Sequence, residues 1–172
     1  MPDLDAAALI EKHQAKGVLV DSNLLVLFLV GQVSKRRILD FKRTQDFTIE
    51  DFNLLSRLIA WFGKLIATPH VLAQVSDLAD LRGKDLGTIR QLFKSVVEQI
   101  EESYDSGRML VADPIFERLG LTDAAIASVC SRGILVLTAD VQLQLTLQHR
   151  GADALNFNHV RQRAWEAGGT SR

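Results

Sequence analysis

Residues 17–30, GVLVDSNLLVLFLV, form a dense apolar run interrupted once, by Asp21-Ser22-Asn23. Val18 to Asp21 reads as a short buried strand. Leu24 to Val30 reads as a helix that is apolar on nearly every side, so both pieces must sit inside a core. A buried strand followed by a buried helix is the opening step of an α/β sheet. The interruption then falls at the carboxyl end of a core strand, where open α/β sheets place their ligands. Ser22 or Asn23 can cap the helix by accepting a backbone N–H, and Gly31 is the expected stop. Taken alone, Asp21 is also an ordinary cap or turn residue. The helix is far short of the ~20 apolar residues that span a bilayer, so no membrane segment is expected.

The rest of the chain continues the alternation. Residues 4–14 read as a helix ending at Gly17. Thr48-Ile49-Glu50-Asp51 resembles a capping box ahead of an amphipathic helix that ends near Gly63. Lys64 to Thr68 is a candidate strand, and Pro69 suits the first turn of the helix that carries Gln74 and Asp77. A long helix follows Gly83, and Asp113-Pro114 opens a short turn. Thr122-Asp123 opens a helix stopped by Gly133, and Ile134 to Leu137 is a strand ended by Thr138-Ala139-Asp140. Residues 141–148, VQLQLTLQ, alternate like a strand. Asp140 as cap, good helix formers and Gly151 as stop nevertheless predict a helix. Leu155 to Phe157 is a last strand and His159 to Ala167 a terminal helix. These elements predict one α/β domain over residues 1–167, a three-layer sandwich with a mainly parallel sheet, and a flexible tail at 168–172.

With 172 residues, a net charge of −1 and 47% hydrophobic content, the chain can bury a sizeable core but offers no broad basic surface. Local basic density occurs at residues 35–43, KRRILDFKR. There Arg36, Arg37, Lys42 and Arg43 are either a solvated connection or contacts to nucleic-acid phosphates. One cysteine, Cys130, cannot form an internal disulfide, and the acidic, polar N-terminus does not read as a secretory signal; a cytoplasmic setting is expected.

Asp21 and Asp140 both follow buried strands, and Asp123 opens the helix before the second of them. In a parallel wind all three belong near one sheet edge. Three neighbouring carboxylates repel unless a cation neutralises them, and hard oxygen ligands suit Mg²⁺ or Mn²⁺. The four histidines lack zinc-ligand spacing, and the chain carries no P-loop, dinucleotide fingerprint or nucleophile elbow.

Four stretches in order, Val20-Asp21-Ser22-Asn23, Thr68-Pro69 with Val71 to Val75, Leu121 to Ile126, and Leu137 to Asp140, resemble a PIN domain. That is the fold of the VapC-type ribonuclease toxins, and the likeness runs from about residue 17 to 160. The resemblance implies metal-binding acids at Asp21, Asp123 and Asp140, small hydroxyls near the site at Ser22 and Thr138, and a supporting polar group at Asn23. It further implies an RNA substrate, a protein antitoxin and frequent homodimers. Where the family brings a Glu on the helix after the second strand, this chain has Gln74, which keeps the shape but not the charge. Three explanations stand: three acids suffice, Asp77 one turn on substitutes, or a Glu→Gln replacement has inactivated the chain. A non-catalytic PIN-like module that binds RNA or protein is the alternative function.

Overall fold

A computed structural model describes residues 6–169. Helix α1 (Ala6–His13) leads into β1 (Val18–Val20), α2 (Ser22–Val33), α3 (Lys35–Asp40) and α4 (Ile49–Trp61). Strand β2 (Leu65–Ala67) is followed by α5 (Pro69–Leu78) and α6 (Lys84–Val97). Next come β3 (Glu101–Glu102) and three helices, α7 (Gly107–Val111), α8 (Pro114–Leu119) and α9 (Leu121–Ser131). Strand β4 (Leu135–Thr138), α10 (Val141–His149), β5 (Ala154–Asn156) and α11 (Phe157–Gly169) complete it.

The five strands form one sheet in the order β3-β2-β1-β4-β5, and every pair is parallel. Helices cover both faces, so the fold is a three-layer α/β sandwich. The centre is β1, whose three residues are wholly buried, as a strand covered on both faces must be. The chain steps outward from β1 to β2 and β3, then crosses back to lay β4 and β5 on the other side. That reversal puts a topological switch point between β1 and β4, in register from Val18 opposite Leu135 to Val20 opposite Leu137.

Helix α2 is buried on nearly all sides, as its composition requires, but it does not end at Gly31. It runs to Val33, and a Cβ at Gly31 would lie 2.2 Å from the ring of Phe52. The glycine is there so that α4 can lie against α2, not to stop the helix. Helix α4 begins with the expected capping box: Thr48 Oγ1 accepts from Asp51 N (3.1 Å) and Asp51 Oδ2 from Thr48 N (2.9 Å). The buried Asp51 carboxylate also takes a charge-assisted bond from Arg161 (3.0 Å), which ties α11 onto the start of α4.

Residues 141–149 are helical despite their alternation. Asp140 Oδ1 accepts from Leu143 N (2.9 Å), and Leu143, Gln144, Thr146 and Leu147 face inward at helical spacing. Strand β3, two exposed glutamates at the sheet edge, and helix α7 were not expected from the sequence. Helix α11 continues to Gly169, two residues into the segment expected to be loose, and residues 170–172 lie outside the described residues. Among the described residues no helix is long and apolar enough to cross a membrane.

Candidate functional site

The switch point brings two of the anticipated acids together through one hydroxyl. Asp21 follows β1 and is itself the N-cap of α2: its Oδ1 accepts from Ser22 N at 2.6 Å. Its backbone N–H bonds Leu137 O at 2.9 Å, which locks the carboxyl ends of β1 and β4 together. Thr138, the last residue of β4 and fully buried, donates its hydroxyl to Asp21 Oδ2 at 2.7 Å. The same Oγ1 accepts from Asp140 N at 3.0 Å. One side chain therefore holds the carboxylate of the first motif and the backbone of the last.

Asp123 arrives from the first turn of α9, after a Gly120 held at φ 95°. Its carboxyl accepts no hydrogen bond from the described chain. Its pKa is pushed up to about 7, first by burial and then by the charges of Asp21 and Asp140. The Asp21 pKa is raised by burial, opposed by the bonds from Thr138 and Ser22 and reinforced by Asp140. The charge of Asp140 thus reaches both Asp21 and Asp123, and that of Asp21 reaches Asp123.

Gln74 and Asp77 stand differently. Both are exposed on α5. Three residues apart, they share the side of α5 that faces away from the buried Val71, Leu72 and Val75. Asp77 is not among the charges that raise Asp123. Asn23 is exposed, and its side chain makes no hydrogen bond among the described residues. Ser22 is buried, and its Oγ has no hydrogen-bond partner.

The basic residues lie elsewhere. Arg36 and Arg37 sit beyond the end of α2 opposite Asp21; its 12 residues make a rod about 18 Å long. Arg37 pairs with Asp85 (2.6 Å) and Lys42 with Asp80 (3.7 Å), while Arg36 and Arg43 are exposed and form no ion pair among the described residues.

Two asparagines beside the site were not anticipated. Asn158 donates to Ala139 O (3.0 Å), bracing the turn between Thr138 and Asp140. Asn156, fully buried at the end of β5, accepts from Asn158 N (2.9 Å) and donates to Gln144 (3.2 Å). A polar side chain inside a buried strand was the available signal.

The donors offered at this edge are all oxygens: the carboxylates of Asp21, Asp123 and Asp140 and the unsatisfied Ser22 hydroxyl. That set fits Mg²⁺ or Mn²⁺ rather than a softer metal. Among the described residues no three acidic, histidine or cysteine side chains close into a metal cage. No protein-family model matches the chain, and no curated protein matches it in comparison.

Proposed function

We propose that this chain is a divalent-metal-dependent endoribonuclease, a PIN-type toxin held in check in the cytoplasm by an antitoxin. One observation carries the reading: at the switch point of the sheet the Thr138 hydroxyl joins the Asp21 carboxylate to the Asp140 backbone, and the charges of Asp21 and Asp140 both reach Asp123 and help raise its pKa. Such a cluster is unfavourable without a partner cation, and Mg²⁺ or Mn²⁺ is the class its oxygens accept. Asp21 and Asp140 would hold the ion, with Asp123 completing the site. Bound there, the ion would lower the pKa of a water and offset charge growing on a phosphodiester.

The chain's own residues prepare that chemistry. Thr138 and Ser22 N fix both oxygens of Asp21, so its carboxylate is oriented before any ligand arrives. Asp123, with its pKa raised to about 7 in the metal-free site, holds at neutral pH a proton that an incoming cation would displace. Water adds to phosphorus and the bond to the 3′ oxygen breaks, leaving a 5′-phosphate and a 3′-hydroxyl, as the PIN resemblance implies. Arg36, Arg37, Lys42 and Arg43 are the proposed backbone contacts of the RNA.

The test is cleavage of a structured RNA with Mn²⁺, comparing the chain as given with Asp21→Asn and Asp140→Asn. Cleavage lost in both variants is expected; cleavage that persists in either, or is absent at every Mn²⁺ concentration from the parent and its Gln74→Glu form, overturns the reading. Gln74 itself favours a second reading, a PIN-like module that binds RNA or protein without turnover. That reading predicts RNA or partner binding that survives Asp21→Asn, together with no calorimetric binding of Mn²⁺ to the parent chain.

A further inference from the structure

The chain carries almost no net charge, but its charge is unevenly placed. Residues 35–43 and 80–94 hold nine lysines and arginines against three aspartates, a net of +6 that leaves −7 for the rest. The fold brings these two segments together. Arg37 on α3 pairs with Asp85 on α6, Lys42 pairs with Asp80, and α3 and α6 both pack on α2. Two adjoining cavities, of about 320 and 410 Å³, share Asp80, Leu81 and Arg82 as a common wall. Phe41 lines one and Phe93 the other. Arg82, Lys84 and Arg90 are exposed and form no ion pair among the described residues.

We propose that this trough, walled by α3 and by the α5–α6 connection, binds the sugar-phosphate backbone of single-stranded RNA. The proposal rests on the nuclease reading and adds the residues that anchor its substrate away from the acids. Unpaired guanidinium and ammonium groups along a groove attract a polyanion, and release of its counterions drives the association. Partly buried phenylalanines beside the cations give bases a surface to stack on, which an acidic peptide would not use. The trough begins at the end of α2 away from Asp21, so the strand is gripped at a distance from the acids.

The test is fluorescence anisotropy of an end-labelled 20-nucleotide oligouridylate, titrated with the full chain in EDTA over a range of KCl. Without a divalent ion no cleavage intervenes. Arg82→Ala/Lys84→Ala/Arg90→Ala should bind about tenfold or more weakly at low salt, with a slope of log K against log salt shallower by about 2. Arg90→Ala alone should flatten the slope by about 0.7, a change that does not depend on the triple variant folding. Arg108→Ala/Arg118→Ala, on α7 and α8, should leave both quantities unchanged. Failure of the parent to bind, an unchanged slope in the variants, or equal loss in the control overturns the proposal. So does sedimentation showing that the trough instead joins two copies of the chain. Binding through the trough, without cleavage once Mn²⁺ is restored, upholds the surface and removes the nuclease reading.

Discussion

Replacing Asp123 by asparagine should stabilise the metal-free protein, and the gain should depend on pH. The native state raises the Asp123 pKa from 3.8 to about 7. The folded form therefore binds a proton that the unfolded chain has released. On this group's account stability is greatest below pH 4 and is lost as pH rises to 7 and beyond. A rise from 3.8 to about 7 would correspond to about 4 kcal/mol at ~1.4 kcal/mol per pH unit in a site sealed from water. Asp123 is partly exposed, and solvent screening brings this to about 1 kcal/mol. Asparagine mimics the neutral acid and escapes the repulsion from Asp21 and Asp140. In EDTA at pH 8 its melting temperature should exceed the parent's by about 2–4 °C, and the gap should close as the pH is lowered toward 4. Scanning calorimetry at three pH values reads this directly. A variant that melts lower than the parent at pH 8, or gains equally at every pH, would refute the electrostatic reasoning.

Other perturbations follow from the same geometry. Thr138→Val removes the donor to Asp21 and the acceptor of Asp140 N, and should lower stability in urea by about 2–3 kcal/mol; Thr138→Ser should recover most of it. Gln74→Glu should tighten Mn²⁺ binding and raise any cleavage rate, whereas no change in either would place position 74 off the site. Gly31→Ala should cost about 1–3 kcal/mol by driving a methyl into the Phe52 ring, and Phe52→Leu in the same chain should relieve part of that loss.

Much of this was legible because local signals and tertiary demands agree. Asp21 and Asp140 end buried apolar runs and also cap helices, so one residue served both readings. The helix at 141–149 was recoverable because its cap and stop outweighed its alternation. Gly31 misled, because a glycine that admits a neighbouring ring looks in sequence like one that ends a helix. Two exposed glutamates carry no strand signal; β3 exists only because β2 offers an edge to pair with. Asp77 lies one helical turn from Gln74 on the same exposed side of α5, yet it is not among the charges that reach Asp123. The asparagine brace behind Asp140 depends on β5 lying beside β4, a pairing no local pattern records. The basic trough joins segments about forty residues apart, so residues 35–43 alone showed half of it.

In the proposed site a divalent cation binds at Asp21, Asp123 and Asp140 and displaces the proton that Asp123 holds with its pKa raised to about 7. Isothermal titration of Mn²⁺ in buffers of differing ionisation enthalpy measures it most directly. Binding is expected with a release of protons that is largest near pH 6 and falls away above pH 8, and no binding is expected to Asp21→Asn. Binding without proton release at pH 6, or no binding at millimolar Mn²⁺, would contradict it.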